Sequence, residues 1–326
     1  RTSPGDPGMI RWGRKRPLGG GQGRGRHGHV ASGVGTSGAM DQLALMAGNR
    51  LLGMAPELAG SEIQMFPARC RFLQDGRFAL TGADCQARLN GRLLPPWWLA
   101  RARRGDVMEW FPPRIGARAY LCLPGGVDVP PVLGSRSTQL RGAFGGLDGR
   151  FLAMDDVVKA GRENDEGPAD FGVEPPQSAM PQEQQGLPAI RVMPAAEYGA
   201  FSAAARAAFW DSEWRLSPQS DRYGCRMTGP SIRLEQPLEI RSHGIVPGVI
   251  QIPPGGQPII QLRDAQPSGG YPKFGAVIEA DLWRLGQTPI GSRLRFVRVD
   301  YDQALQALDE NRQWLDRLAC HLAMYI

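Results

Sequence analysis

RSHGIVPGVIQIPPGGQPIIQLRDAQPSGGYPKFGAVIEADL, residues 241–282, is the stretch whose reading decides the fold. It is dense in Gly and Pro, yet it carries three short β-branched runs, at 249–252, 258–262 and 276–278. Gly and Pro set tight turns, and β-branched runs of this length read as short strands. The spacing predicts strand, turn, strand, polar loop, strand. Gln251, Gln257, Arg263, Asp264, Gln266, Ser268 and Lys273 lie between or beside the runs, where a rigid frame would hold their side chains.

Outward from there the pattern stays β-rich. Before the stretch come strand signals at 190–193, 214–216 and 231–234 and an Ala-rich helix over 197–209. After it come a strand at 294–299 and a helix over 301–325, with Leu305, Leu308, Trp314, Leu315 and Leu318 at helical spacing. The N-terminal half predicts a helix over 39–52, capped by Thr36 or Ser37. Strands follow at 62–66, 70–73, 77–81, 107–111 and 117–123, with a hairpin across Asn90-Gly91. Trp97 and Trp98 are expected as core or edge cover. The fold class expected is mainly β. Its organisation is a basic Gly/Arg-rich disordered tail over 1–30, a first β-barrel subdomain over 31–160, an acidic Pro/Gln-rich linker over 161–188, and a second β-barrel subdomain with a C-terminal helix over 189–326.

The 326 residues carry a formal charge of +6, but the excess is local. Residues 1–30 hold seven Arg or Lys against one Asp, and the rest balances at 31 to 31. The tail reads as a loose terminus rather than an RNA-binding arm, and the balanced body gives no nucleic-acid-binding character. Five scattered Cys without a CxxC pair argue against a disulfide scaffold and for a reducing, cytoplasmic setting. Four dispersed His argue against a metal site. Apolar runs stay too short for a transmembrane helix. There is no GxxxxGK[ST], HExxH or GxSxG, which sets aside P-loop, zincin and hydrolase-elbow chemistry. His243 reads as a hydrogen-bonded ring in a turn.

What remains is a set of polar groups in Gly-rich loops. Asp84 follows a strand end; Arg136, Ser137, Thr138 and Arg141 lie in one loop; Gln219, Asp221 and Arg222 lie in a second; Gln251, Asp264, Gln266, Ser268 and Lys273 lie in the third. If these converge, the inventory suits a small carboxylate, amide or carboxyphosphate-like group. Asp264 is the candidate general base and Arg136 or Arg222 the anion clamp, with Asp84, Ser137, Gln219, Asp221, Gln251, Gln266 and Ser268 as substrate contacts. The alternative is that Asp264 and Asp221 pair with neighbouring Arg as structural salt bridges.

SGAMD (37–41), TGAD (81–84), PPVLGSRST (130–138), RGAFGGLDGR (141–150), SPQSDRYGCRMTGP (217–230) and GVIQIPPGGQPIIQLRDAQPSGGYPKFG (248–275) together resemble the KipA family. It is the family of the 5-oxoprolinase C subunit and of part of the urea carboxylase carboxyltransferase domain, often labelled allophanate hydrolase subunit 2. The resemblance covers roughly 33–294. It implies two cyclophilin-like β-barrels, a KipI-like B subunit and a LamB/YcsF-like A subunit as partners, and ATP-driven opening of 5-oxoproline to glutamate. It also implies signature positions at Ser37, Asp41, Asp84, Arg136, Ser137, Gln219, Asp221, Arg222, Gln251, Asp264, Gln266 and Tyr271. The alternatives it carries are a biotin-dependent carboxyltransferase module and a non-catalytic regulator of a KipI-like protein. Nothing resembles a biotin attachment sequence, so biotin would arrive on another chain. Where relatives open with a strand and a segment like TVQDLGRxGxxxxGV, residues 15–34 read KRPLGGGQGRGRHGHVASGV, which predicts a missing first strand.

Overall fold

Alternation of burial along Ala68–Phe72 (buried, exposed, buried, exposed, buried) is the signature of a strand with one face on a core and one in water. The computed structural model describes residues 9–13, 19–161 and 167–324. They form two units: the first takes Ser37–Pro176 with the described part of 1–26 and the chain from Trp314, and the second takes His27–Thr36 and Gln177–Gln313.

The first unit packs two six-stranded sheets. One runs Val157–Val158, Ile10–Trp12, Ala68–Phe72, Val107–Trp110, Arg88–Leu89, Arg92–Leu93; the other runs Phe171–Gly172, Trp98–Ala102, Gly76–Asp84, Ile115–Cys122, Gly60–Ile63, Gly19–Gln22. Trp12, Phe72, Phe78, Met108 and Trp110 fill the core, with the Trp12 and Trp110 rings 5.7 Å apart. The Asn90-Gly91 turn has φ of 50° and 83°, the left-handed pair that such a hairpin needs. Trp97 is core, its indole N–H donating to Gly82 O at 2.9 Å.

The second unit closes a barrel of seven strands. Around it run Leu187–Pro194, Lys273–Val277, Val249–Gln251, Ile259–Gln261, Gly224–Thr228, Trp214–Leu216 and Arg293–Arg298, and the last pairs in parallel with the first, Ala189 opposite Arg295. The helix Ala203–Asp211 lays Phe209 between Phe274 and Phe296, at 3.9 and 4.8 Å between ring centroids. With five α-helices among the described residues, the architecture is mixed α/β with peripheral helices rather than mainly β. Of the two barrels expected, the strand pairings close this one.

Several local expectations are corrected. The described part of the 1–30 tail is not disordered, and the first strand is not missing: Ile10–Trp12 and Gly19–Gln22 are paired strands. Three glycines are poor strand formers alone. They pair here because the approach to Glu62 leaves no room for a Cβ at Gly19, and because Ser137 Oγ accepts from Gly23 N at 3.0 Å while Thr138 N donates to Gly21 O at 2.9 Å. The acidic 161–188 segment is partly paired: Phe171–Gly172 joins Trp98–Ala102, and Glu183–Gln184 turns back onto Leu187–Pro194. The first helix is Gln42–Leu51, and Asp41 caps it through Ala44 N at 2.8 Å, not Thr36 or Ser37. Residues 231–234 carry a single bridge, Leu234 to Phe201, instead of a strand.

Candidate functional site

In the first unit the expected site residues hold loops. Arg136 pairs with Asp128 at 3.2 Å and donates to Val127 O at 3.3 Å. Ser137 is fully buried, and the glycines of RGAFGGLDGR close over it and Thr138: a Cβ at Gly146 would collide with the Thr138 hydroxyl. Asp84 accepts from Gln86 N at 3.1 Å beside a hollow too small for a substrate. Asp41 N donates to Tyr120 Oη at 2.8 Å, and Tyr120 donates on to Glu62 at 2.7 Å. Burial pushes the Tyr120 hydroxyl well up, and the Glu62 and Asp41 carboxylates push it further, so it stays a neutral donor. Ser37 is buried with a left-handed φ of 53°. Burial likewise holds Cys122 up at about 12 and raises Cys70 and Cys85, which removes all three as thiolate nucleophiles.

In the second unit Arg222 and Asp264 do meet. Arg222 Nε donates to Asp264 Oδ2 at 2.7 Å and Nη2 to Oδ1 at 3.3 Å, with side-chain exposures of 4% and 0%. Asp264 N also donates to Arg222 O at 3.1 Å. This pair bridges the loop ahead of Gly224–Thr228 and the loop after Ile259–Gln261, and the carboxylate is committed to it. Asp221 Oδ1 accepts from Tyr223 N and Gly224 N at 2.8 and 3.1 Å, which folds its own turn, and Gln219 Oε1 accepts from Ser217 Oγ. Gln266 is exposed.

The remaining predicted residues converge with two that sequence reasoning did not single out as site residues. Gln251 ends one strand and Lys273 begins its neighbour, and the two lie directly opposite. Lys273 Nζ contacts Glu197 Oε1 at 2.8 Å and His243 Nε2 at 2.6 Å. His243 Nδ1 sits 2.8 Å from Arg241 O, a partner that can only accept. Nδ1 therefore carries the proton, and Nε2 accepts from the ammonium. His243-Gly244 pairs with Ser268-Gly269, and Gly269 lies so close to Gln251 that a Cβ there would come within 2.5 Å of Nε2. Gln251 Oε1 accepts from Gln261 Nε2 at 3.1 Å, while Gln251 Nε2 is buried with no hydrogen-bond partner. A buried amide donor left unpaired is costly, and Gly269 packs against it in place of a partner.

The same ladder opens into a cavity. Ile252 N donates to Pro272 O at 2.9 Å, one step beyond the Gln251–Lys273 pair, and both residues line a cleft of ≈ 670 Å³. Its far wall is the extended segment 232–240, and Gly270 and Tyr271 complete the near one, Tyr271 being 48% exposed. The signal for Glu197 was an acid at the start of an Ala-rich helix. The structure makes that start a separate 3-10 turn, Ala196–Ala200. Among the described residues no three His, Cys, Asp or Glu side chains are grouped to hold a metal ion.

The chain belongs to the carboxyltransferase domain, subdomain A and B, family: that profile matches residues 32–298. It is 39% identical over 304 residues to the 5-oxoprolinase C subunit of Escherichia coli K12, covering 91% of this chain and 94% of that one. The Haemophilus influenzae 5-oxoprolinase C subunit is 37% identical over 294 residues, with 90% and 92% covered. The crystal structure of the Kluyveromyces lactis urea carboxylase superposes with a TM-score of 0.86 at 26% identity, over 97% of this chain and 30% of that chain. The KipA-family resemblance therefore holds at the level of a carboxyltransferase-domain protein related to the 5-oxoprolinase C subunit and urea carboxylase.

Proposed function

We propose that this chain is the C subunit of an ATP-dependent 5-oxoprolinase that converts 5-oxo-L-proline to L-glutamate and is inactive alone. The end-to-end match to the Escherichia coli 5-oxoprolinase C subunit carries this reading. The companions would be a KipI-like B subunit and a LamB/YcsF-like A subunit, in the cytoplasm. The first unit's paired sheets would be an opened relative of the cyclophilin-like barrel in the second.

The Lys273 cluster, one ladder step from the cleft lined by Ile252 and Pro272, is the substrate site in this reading. An ammonium has three N–H groups, and Glu197 and His243 take two of Lys273's. The third offers a donor to a carboxylate or lactam oxygen, and Tyr271, which lines the cleft, lies two residues earlier in the chain. Arg222–Asp264 positions this segment rather than abstracting a proton. The residues do not fit a triphosphate: Lys273 is already bound to an acid, and the Gly-rich loop at Gly145 and Gly146 is filled by Ser137 and Thr138. ATP is therefore assigned to a companion subunit.

The second reading, a carboxyltransferase module served by biotin on another chain, is favoured by the superposition on urea carboxylase. A regulator that only binds a KipI-like protein is the third. Purification with the KipI-like and LamB/YcsF-like proteins of the same organism, followed by an assay of glutamate release from 5-oxoproline and ATP, separates them. Release that requires this chain supports the first reading. A stable complex without release supports the other two.

A further inference from the structure

Beyond residue 30 the chain's charges balance in composition but not in space. Residues 61–120 hold ten Arg and no Lys against five acids. Four of these lie on one sheet of the first unit, whose buried face carries Trp12, Cys70, Met108 and Leu89; Arg92 stands opposite Leu89 and pairs with Asp170 at 3.6 Å, while Arg69, Arg71 and Arg88 join Arg11 on the other side. Its opposite face presents two rows. In one, Arg11 lies directly across from Arg71. In the other, Arg69 lies across from Glu109 and Glu109 across from Arg88. All four Arg are exposed. Glu109 is 3.9 Å from Arg69, and among the described residues no acid forms a salt bridge with Arg11, Arg71 or Arg88. The nearby acids are already used on backbone: Asp75 accepts from Arg104 N at 2.7 Å and Asp106 from Arg103 N at 2.8 Å.

Two guanidinium groups facing each other across a strand pair repel. The bonds that the fold makes with this face, Arg71 Nη1 to Gly105 O at 2.9 Å and Arg88 Nη1 to Gly91 O at 3.1 Å, are to neutral carbonyls and leave the charges without a counter-ion. We propose that this sheet face is a docking surface for an acidic protein surface, whose carboxylates would seat between Arg11, Arg71 and Arg88. Guanidinium groups bind carboxylates through paired hydrogen bonds, which suits an all-Arg face. A protein is favoured over a nucleic acid because the sheet's own rings, Trp12, Phe72 and Trp110, are on its buried side, while Phe111, half-buried beside the face, is already covered by Arg88 at 5.9 Å. It is favoured over an anionic bilayer because Glu109 stands in the middle of the second row, where a uniform negative surface would be repelled. This face belongs to the first unit and is independent of the reading of the cleft.

The test is binding of the full chain to poly-L-glutamate, with poly-uridylate RNA and phosphatidylserine vesicles as comparisons, at two salt concentrations. Wild type is expected to bind poly-L-glutamate most tightly, with salt weakening it. Arg11→Glu/Arg71→Glu/Arg88→Glu is expected to lose about ten-fold or more, since each exposed pair contributes modestly and reversal adds repulsion. Arg293→Glu/Arg312→Glu, reversed in the second unit, should bind as wild type does. An unchanged thermal midpoint shows that the triple variant is folded. Equal binding by the triple variant, or tighter binding to RNA or vesicles than to poly-L-glutamate, overturns the proposal.

Discussion

Arg222 closes one edge of its guanidinium, Nε and Nη2, on Asp264 at 2.7 and 3.3 Å, in a setting where neither side chain reaches water to any useful extent. Asp264→Ala takes the carboxylate away from a buried guanidinium, and is expected to cost about 3–5 kcal/mol. Asp264→Asn keeps an acceptor and should cost less. Urea denaturation midpoints measure both. An Asp264→Ala protein of wild-type stability that still abolishes turnover would restore the general-base role to this residue.

Lys273 has a different expectation. Its exposure is partial and its contacts, Glu197 and His243, are themselves only partly buried or exposed. Lys273→Met is expected to reduce glutamate release by the assembled complex about 10²-fold or more, the usual loss of a preorganised donor. His243→Ala should cost less, because the ring positions the ammonium rather than touching substrate. Steady-state assays of the complex, with co-purification yield as the control, decide this; equal rates for Lys273→Met and wild type would remove the cleft from consideration.

Ser137 tests what orders the glycine arm. Its hydroxyl accepts the amide of Gly23 at 3.0 Å inside the protein. Ser137→Ala leaves that donor unpaired, for about 1–3 kcal/mol. Gly146→Ala adds a Cβ at a φ of 55° and against the Thr138 hydroxyl, and should cost more. Hydrogen exchange at the Gly21 and Gly23 amides should speed up in both, more than exchange in the Lys273–Val277 strand.

Asp156 sets a pH dependence. Burial pushes its carboxyl up, but two hydrogen bonds from Arg150 at 2.6 and 2.9 Å, the Ala153 amide at 2.6 Å and the Arg150 charge pull it down by more. The folded value lies below the ordinary value of 3.8, so the carboxylate stabilises the fold above that pH. That contribution is lost as pH falls through the folded value. Wild type should be more stable than Asp156→Asn at pH 7, and the gap should close on titration to about pH 2. A gap that persists at low pH would mean that Asn disturbs the turn itself.

Which segments could be strands, and where the chain turns, was legible in the residues alone. Alternation in 68–72, the Asn90-Gly91 turn and the β-branched runs after Gly248 are local properties, and local sterics and burial period decide them. The long motifs determined the family in the same way, because their residues are contiguous. The choice of helix cap was not local. Thr36, Ser37 and Asp41 are all capping types, and Asp41 is held at the helix start by Tyr120, 79 residues away. Nor was the irregular path of 231–234, which rests on backbone contacts to Gly256 and Phe201.

What the polar residues bond to depends on contacts between distant parts of the chain. Gly19–Gln22 holds its place as a strand because Thr138, more than a hundred positions away, bonds Gly21 O, and Ser137 ties down Gly23 just beyond it. Asp264 is paired with Arg222, which lies 42 residues off in sequence and beside it in space. Glu197 and His243 join Lys273 from positions 76 and 30 residues earlier, so no spacing could announce them. A charge's partner sets whether it is chemistry or scaffold, and partners across a closed barrel are chosen by register, which a single sequence does not display.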